Sequence, residues 1–394
     1  FISCLLGNFV EMYDLFLFSS IRVSSLQSLD LNENDVLQNG IFLLNIQLFG
    51  LLCGGILGGI LGDKLGRMQI LFGSIILYSI ANIANAFVQT VPQYAICRFL
   101  AGLGLAGEIG ACITVIIEVL PVLYRGYGIM LLMAFGHMAA IIASIFANLM
   151  DWRTNFFIGG IIGLLILLFR MKVTEPELYQ KVAVDSKIKR GNFLNIISSR
   201  HKLIKYTKSI LVSSSSWFCF GILIMFAPEI APHLGLQTKI QPQMYMPYYF
   251  CALVLGDICC GILGQYFKTR KWIIALYIFF LILLSTVYLS STQMTYHSFL
   301  VLISLMGFFS GYSVLSFTQA AEQFGTNIRS TVATSTTNFS RGFGIIFTFS
   351  LSFLKNHVSI VSAASIIGVI GLSVAFLSAI SLQETFNKDL DYTE

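Results

Sequence analysis

The stretch that decides the fold is GGILGGILGDKLGR, residues 54–67. It places six glycines in an apolar run and adds three charged residues at its end, Asp63, Lys64 and Arg67. Glycine inside a helix costs about 1 kcal/mol relative to alanine. In lipid, helices associate by close packing, and small residues four positions apart permit that packing. The run therefore predicts a membrane-spanning helix that packs tightly on a neighbour and ends at a charged turn.

The composition extends this interpretation to the whole chain. Of 394 residues, 56% are hydrophobic, 11% are charged and 34 are phenylalanine, and the mean hydropathy is +0.80. A soluble domain carries about 25% charged residues, so this chain could not keep its surface in water. We expect a polytopic integral membrane protein whose partner is the lipid bilayer. The modest net charge of +5 indicates no nucleic-acid partner, and no obligate protein partner is implied.

The sequence carries no signature of an enzyme, a cofactor or a metal centre. It has no HExxH motif and no phosphate-binding loop, and its eight cysteines all lie in apolar runs. Buried cysteine usually behaves as a small hydrophobic residue, so we expect neither disulfides nor metal ligation. Residues 102–107, GLGLAG, match the G-x-G-x-x-G dinucleotide fingerprint, but that fingerprint needs a preceding strand. In a lipid-length helical run these glycines indicate packing.

The fold class predicted is all-α, with twelve transmembrane helices. A bilayer core needs about 20 apolar residues per helix, and such runs occur at 1–21, 39–62, 69–88, 92–118, 126–148, 152–171, 208–230, 245–267, 272–291, 298–321, 331–353 and 358–382. One long polar interruption divides them six and six. We therefore predict an N-terminal six-helix bundle at 1–171, a cytoplasmic linker at 172–207, and a C-terminal six-helix bundle with a short cytoplasmic tail at 208–394.

The loops predict the orientation. If residues 172–207 are cytoplasmic, most of the 24 lysines and arginines lie on that side, and only Arg22, Arg153, Lys239 and Lys355 lie on the other. Cytoplasmic loops carry such an excess, so we expect both termini in the cytoplasm and the protein in a bacterial inner membrane. Because the first residue is Phe1, we also expect the numbering to begin inside a longer gene product.

The two halves of the sequence repeat each other. The sequence GILG at 59–62 recurs at 261–264, an offset of 202. Glu118 and Arg125 recur as Glu322 and Arg329, both at an offset of 204. Parallel repeats of this kind place a substrate site between two pseudo-symmetric halves, near the middle of the membrane.

Several motifs resemble one family. GDKLGR at 62–67, with Gly59 ahead of it, resembles the loop 2–3 signature of the major facilitator superfamily, G-x-x-x-D-R/K-x-G-R. NFVEMYD at 8–14 resembles the opening of its metabolite:proton symporter branch, which includes transporters of proline and betaine, citrate and shikimate. Arg98 and the residues that follow it, including Glu108 and Glu118, resemble the fourth span of that branch. Met12 and Ala106 depart from its pattern, which leaves the substrate open.

The resemblance implies a set of gating residues at the charged turn and around the loop after the fourth span: Gly59, Asp63, Gly66, Arg67, Glu118 and Arg125. Asp63 would contact a helix start across the two halves and so favour one state, since a helix N-terminus attracts an anion. Arg67 could pair with Glu118. Two glycine ladders would let this span pack on the other half: Gly54, Gly58 and Gly62, and Gly55 with Gly59. The alternative is that these charges are ordinary anchors of a cytoplasmic loop.

Charged residues inside the predicted spans are the candidates for proton coupling. A charge at the bilayer centre is costly and usually faces a cavity or a partner. Glu11 and Asp14 share one face of the first span, and Arg98 lies on the fourth. We hypothesise an Asp14–Arg98 pair that breaks when Asp14 is protonated. The alternatives are a static structural pair, or Glu11 or Glu108 as the group that accepts the proton.

Arg341 is the predicted substrate-anion site. It shares a helix face with Asn338, and its guanidinium can bind a carboxylate through two hydrogen bonds. The alternatives are a pair with Asp257, or an arginine that reaches the membrane surface. Trp217 and Tyr312 are predicted to line the same cavity, although such aromatic residues can simply be packing.

Two further residues are weaker candidates. His137 is either a proton relay or a residue that satisfies a local hydrogen bond. Glu229, between two prolines, is expected in an outer loop. Together these features predict a secondary active transporter that couples protons to the symport of a small organic anion or zwitterion by alternating access. The alternatives are a proton-coupled exporter, an uncoupled facilitator or a non-transporting membrane sensor.

Overall fold

The computed structural model describes residues 2–29, 31–65, 67–121, 124–170, 199–236, 240–325 and 328–387. Within these ranges the chain forms helices joined by turns, with no strand. Most of the predicted linker at 172–207 lies outside the described residues. The helices are α1 (Ile2–Gln27), α2 (Glu33–Leu65), α3 (Arg67–Asn85), α4 (Val91–Leu105), α5 (Glu108–Val119), α6 (Arg125–Leu149), α7 (Trp152–Arg170), α8 (Arg200–Phe218), α9 (Ala227–Ile230), α10 (Pro242–Tyr266), α11 (Lys271–Ser290), α12 (Tyr296–Ser310), α13 (Ser313–Glu322), α14 (Arg329–Leu354) and α15 (Ile360–Ser381).

Ten helical segments of the described chain are long and apolar enough to cross a membrane, taking α4–α5 and α12–α13 each as one segment. The apolar part of α3, Gln69–Asn85, is shorter, and α14 carries many threonines and serines. The all-helical membrane fold is therefore confirmed, while the count of twelve spans stays a prediction. We call the end of the bundle that carries the α2–α3 turn and residues 382–387 the terminal face, and the other end the far face.

Two helices are broken at equivalent places in the repeat. The α4–α5 segment breaks at Ala106 and Gly107, and the α12–α13 segment breaks at Gly311 and Tyr312. Both α4 and α12 contain 15 residues, and each break lies 205 positions from its counterpart. This shared break adds a third match to the two offsets near 204 in the sequence, because a turn inserted at the same depth in both halves follows from one repeated unit.

The glycines of the dinucleotide-like stretch serve packing. A Cβ on Gly102 would overlap the backbone of Gln47 in α2, and one on Gly104 would lie 2.8 Å from the backbone nitrogen of Tyr78 in α3. The expectation that this stretch lies in mid-helix is wrong at its last two residues, which form the break. Small residues therefore let α4 approach α2 and α3 at van der Waals distance.

The glycine ladder of α2 faces two different partners. A Cβ on Gly54 would meet Leu103 in α4, and one on Gly58 would lie 3.4 Å from Gly107. These contacts are within the same half, so the prediction that the glycine ladders pack on the other half is wrong for Gly54 and Gly58. Gly55, one position over, contacts Asn338 of α14 instead. Helical geometry explains the split, because adjacent residues point about 100° apart around the helix axis.

The first seven helices and the later ones meet along two seams. One seam joins α2 to α14, and the other joins α6 to α10. The helix α1 packs mainly on α6, and α8 packs on α14 and α15. This arrangement places α1, α6, α8, α10 and α14 around the centre of the molecule.

The chain beyond α15 caps the start of α11 at the terminal face. Glu384 accepts hydrogen bonds from the backbone nitrogens of Arg270 (2.9 Å) and Lys271 (3.2 Å) and from the Thr269 hydroxyl (2.5 Å). Partial burial on its own would raise the pKa of Glu384, but these hydrogen bonds outweigh it and the pKa is lowered. The carboxylate therefore satisfies backbone donors that the first turn of a helix leaves free.

Candidate functional site

A small cavity lies between the two halves at the centre of the bundle. Its volume is about 50 Å³, which holds only a few water molecules at roughly 10–15 Å³ each. Its lining comes from both halves: Met12, Leu15, Phe16, Met133, His137, Ser216, Trp217, Phe220, Tyr249, Leu253, Ser310, Ser313, Phe317 and Arg341. The wall is mostly aromatic and apolar, with one arginine and one histidine. The structure therefore describes a closed site whose chemistry suits an apolar body with a polar end.

Aromatic rings crowd around Phe16 of α1. Its ring is nearly parallel to that of Trp217, at 10° with centroids 6.5 Å apart. It also packs edge-on against Phe220 at 5.0 Å. The structure thus places Trp217 in the cavity wall. Tyr312 is not among the lining residues, because its buried hydroxyl donates to the carbonyl of Val212 at 3.0 Å. This contact indicates that Tyr312 packs the helices behind the wall.

Arg341 pairs with a carboxylate of the other half. Its Nη1 lies 2.6 Å from Oε1 of Glu11, and both side chains are buried. This contact excludes, for the state described, the alternative that Arg341 pairs with Asp257. Arg341 also lies twelve residues into α14, or about 18 Å along the helix, too deep to reach the membrane surface. Charge-assisted hydrogen bonds of this length are strong, and here the bond ties α1 to α14 at the cavity.

Asn338 lies on the same helix but has a different task in this state. Its Nδ2 donates to the carbonyl of Ala106 at 2.7 Å and to that of Thr334 at 2.9 Å. Ala106 belongs to the break between α4 and α5, where carbonyl groups lose their helical partners. Asn338 therefore holds α14 against the broken helix of the other half and is not among the residues that line the cavity.

The structure brings Asp14 and Arg98 together, as the sequence hypothesis requires. Nη1 of Arg98 lies 3.2 Å from Oδ1 of Asp14, and both are fully buried within the first half. The guanidinium also lies over the rings of Phe18 (5.2 Å) and Phe156 (5.3 Å). Within the described residues, Oδ2 of Asp14 and Nη2 of Arg98 have no hydrogen-bond partner. The pair is thus tightly enclosed but incompletely hydrogen-bonded.

Glu108 begins α5 immediately after the helix break and is fully buried. Cys112, one turn later, points its Sγ at the Glu108 carboxylate at 3.6 Å. The role of Glu108 in proton coupling stays a prediction.

His137 and Asp257 form a second pair between the halves. Nδ1 of His137 in α6 lies 2.6 Å from Oδ2 of Asp257 in α10. Asp257 is fully buried, while His137 keeps 7% of its side chain exposed. The sequence offered both residues separately, but it could not show that the α6–α10 seam joins them.

Sequence reasoning missed an ion pair at the far face. Nη2 of Arg22 lies 2.8 Å from Oε1 of Glu229, and the guanidinium lies 4.9 Å from the Phe226 ring. Arg22 was assigned to a loop, but α1 continues past it to Gln27. Glu229 lies in the short helix α9 rather than in a loop.

At the terminal face, different contacts join the halves. Arg270 pairs with Glu322 at 3.4 Å, and it lies close to Gly126 at the start of α6, where a Cβ would come within 2.9 Å of Nη1. A Cβ on Gly110 of α5 would overlap Thr334 of α14. Among the described residues, the two halves therefore touch at both faces.

Most of the predicted gating residues cannot be placed. Gly66 and the side chains of Asp63, Arg67 and Glu118 lie outside what the structure describes, and Gly59 is described only as part of the helix α2. Arg125 lies at the start of α6, and its Nε donates to the carbonyl of Leu120 at 3.2 Å. The gating roles of all six residues stay predictions.

These features define a class: a membrane protein of two repeated helical halves around a central, enclosed site. Residues 4–349 match the family model of the Major Facilitator Superfamily, and the chain belongs to that superfamily. It is a membrane transporter and not an enzyme.

Two relatives cover most of the chain. A protein of Cupriavidus pinatubonensis named "Probable 4-methylmuconolactone transporter" is 24% identical over 98% of this chain and 90% of its own length. The cis,cis-muconate transport protein of Acinetobacter baylyi is 26% identical over 86% of this chain and 83% of its own length. These relatives are named for organic acids and a lactone, rather than for proline, betaine, citrate or shikimate.

A solved structure supports the fold. The proton:xylose symporter XylE, bound to 6-bromo-6-deoxy-D-glucose, is similar with a TM-score of 0.74 and 19% identity. The likeness covers 99% of this chain and 96% of that chain. At this identity it establishes the architecture alone.

Proposed function

We propose that this transporter is a proton-coupled symporter of small, planar organic acid anions. The observation that carries the proposal is the buried Glu11–Arg341 pair, at 2.6 Å, beside an aromatic cavity between the halves. A guanidinium that already holds one carboxylate has the geometry to hold another. The substrate anion would replace Glu11 on Arg341, and Glu11 would accept a proton as it lets go.

This exchange gives a physical reason for coupling. A buried charge left without its partner costs several kcal/mol, so neither Glu11 as an anion nor Arg341 can remain unpaired. Protonation removes the charge of Glu11 and frees Arg341, and the substrate carboxylate then restores the pair. Proton and anion therefore bind together, or neither binds.

The cavity wall supports the substrate class. Phe16, Trp217 and Phe220 present flat apolar surfaces, which favour a planar ring or a conjugated chain. The two relatives described above are named for muconate and for a methylated muconolactone, which are small unsaturated organic compounds. We therefore propose aromatic or unsaturated carboxylates in place of the zwitterions that the sequence left open.

In this proposal, the Asp14–Arg98 pair is the second protonation site, in addition to Glu11. Asp14 lies about one helical turn from Glu11 on α1, and its partner Arg98 lies on α4 in the same half of the chain. Protonation of Asp14 would release Arg98 and let α1 move against α4. Glu108, at the start of α5, remains a candidate for a relay between the two acids.

We also propose the architecture expected from the repeat: twelve spans in two six-helix bundles, with both termini cytoplasmic in a bacterial inner membrane. In that orientation the terminal face is cytoplasmic and the far face is external. The Arg22–Glu229 pair would then close the outer side. The charged turn at 63–67 would help to close the inner side, as the family resemblance implies.

The test is uptake of labelled benzoate and cis,cis-muconate into proteoliposomes, with and without an imposed pH gradient. Wild type should accumulate at least one of these acids only when the gradient is present. Arg341→Gln should abolish accumulation, while Arg200→Gln, the same change at an exposed arginine, should not. Asp14→Asn should lose accumulation but retain exchange of substrate for substrate.

Three results would contradict the proposal. Equal flux with and without the gradient would make the protein a facilitator and the Asp14–Arg98 pair structural. Accumulation driven in the opposite direction would make it an exporter. Normal uptake by Arg341→Gln would show that the substrate carboxylate does not bind to Arg341.

A further inference from the structure

Among the described residues, the His137–Asp257 pair is the one buried acid–base contact at the cavity that the proposed exchange does not use. It joins α6 to α10 across the seam through Nδ1 and Oδ2, 2.6 Å apart. His137 lines the cavity and keeps 7% of its side chain exposed. Because Asp257 occupies Nδ1, Nε2 is the ring nitrogen left to face the cavity.

The position of the ring is fixed on two sides. Asp257 holds Nδ1, and the ring of Phe16 packs against the imidazole with centroids 6.0 Å apart. A histidine held in this way keeps its second nitrogen in one direction. His137 is therefore preorganised to meet whatever occupies the cavity.

Charge balance decides what Nε2 offers. Burying a net charge at this depth is far more costly than burying a neutral pair, so His137 and Asp257 together carry no net charge. A neutral pair has one proton in the Nδ1–Oδ2 hydrogen bond and one proton on Nε2. This holds whether the shared proton lies nearer the histidine or the aspartate. Nε2 is thus a hydrogen-bond donor toward the cavity.

We propose that His137 is a specificity-determining residue that donates a hydrogen bond from Nε2 to an acceptor on the substrate, away from the carboxylate that Arg341 binds. Asp257 acts as its positioning residue. This inference rests on the proposed function and narrows its substrate class. The preferred substrates are planar acids with a second acceptor, such as a ring nitrogen, a carbonyl or a lactone oxygen.

The test compares pairs of nearly isosteric acids that differ in one acceptor. Nicotinate and isonicotinate are each compared with benzoate, and 4-acetylbenzoate is compared with 4-isopropylbenzoate. The KM for gradient-driven uptake is measured for each compound. Wild type should prefer at least one acceptor-bearing acid over its partner by about 10- to 100-fold, because the partner compound leaves the buried Nε2 donor without a hydrogen bond.

Two substitutions at the same position separate contact from structure. His137→Asn keeps an amide near Nδ1 for Asp257 but has no group at the position of Nε2, so the KM for the acceptor-bearing acid should rise to that of its partner and the preference should disappear. His137→Gln carries its amide farther out and should restore part of the preference. Met138→Leu, next to His137 but on the exposed side of the same helix, should leave the preference unchanged. Asp257→Asn should reduce it, because the imidazole loses its fixed direction.

The outcomes are distinct. An absence of preference in wild type, or a preference retained by His137→Asn, would overturn the role of His137 even if benzoate uptake depends on Arg341. An equal rise in KM for both members of a pair would assign His137 to structure and also overturn it. If no acid is taken up in an Arg341-dependent way, the proposed function itself fails.

Discussion

Replacing Glu11 by glutamine tests the exchange on Arg341 most directly. Glu11→Gln keeps the size of the side chain but removes the charge that faces Arg341 at 2.6 Å. The buried guanidinium then lacks its counter-ion in the empty protein. We expect the variant to bind benzoate more tightly than wild type and to lose gradient-driven accumulation, because no proton is needed to free the arginine.

The magnitude follows from the burial of the pair. Removing one partner of a buried ion pair costs about 3–5 kcal/mol, mainly through the charge left behind. The benzoate carboxylate can recover only part of this, since the amide of glutamine still accepts one hydrogen bond from Arg341. If about 1.4–2.8 kcal/mol is recovered, benzoate affinity rises by about 10- to 100-fold.

Binding of labelled benzoate to purified protein in nanodiscs, between pH 5.5 and 8, measures this effect. Wild-type affinity should fall as the pH rises, because Glu11 must be protonated before it leaves Arg341. The affinity of Glu11→Gln should be high and almost independent of pH. The control is Glu384→Gln, the same change at the terminal face, which should bind as wild type does. Weaker or unchanged binding by Glu11→Gln would refute the competition between Glu11 and substrate.

Three further predictions concern packing and the terminal face. Gly110→Ala, whose methyl would overlap Thr334, should lower benzoate uptake by about tenfold, while Gly73→Ala, whose methyl meets nothing within 4 Å, should transport normally. Tyr312→Phe should lower stability against thermal unfolding by about 1–3 kcal/mol without changing the KM for benzoate. A changed KM would indicate that Tyr312 contributes to the substrate site. Because the pKa of Glu384 is lowered, its contribution to stability is present above the pKa of a free glutamate, about 4.3, and is lost as the pH falls through the lower folded pKa. Glu384→Gln should remove that acid-dependent part, worth about 0.5–1 kcal/mol for an exposed cap, and identical acid unfolding curves would exclude the cap.

The membrane class, the repeat and the buried charges were predictable from the sequence because each depends on local chemistry. A lipid-facing helix needs a long apolar run, and a charge within that run needs a partner or a cavity. Asp14 and Arg98 could therefore be paired by their depth in two neighbouring spans. The break at Ala106 could not be predicted, since its only local signal was a glycine-rich run that also suits packing.

The partners of Arg341 and His137 could not be assigned from the sequence. Sequence gives the depth of a residue along its helix but not the direction in which its side chain points across the bundle. Asp257 lies at a suitable depth to pair with Arg341. However, α10 packs on α6, so Asp257 contacts His137 instead. Asn338 shares a face with Arg341, but its amide donates a hydrogen bond to the carbonyl of Ala106. The helix break leaves that carbonyl free to accept it.

If the proposed exchange at the Glu11–Arg341 pair uses one proton per substrate, it also determines which driving force the transporter can use. The empty site would hold one negative and one positive charge, and the loaded site would hold neutral Glu11, Arg341 and one monovalent anion. Both states would then carry the same net charge, so a monocarboxylate would cross the membrane electroneutrally. The membrane voltage, worth about 2.3 kcal/mol per charge at 100 mV, would then add nothing to the accumulation of such a substrate. A cell using this protein would concentrate benzoate-like acids only as far as its pH gradient allows, and a dicarboxylate carried with one proton would move against the voltage.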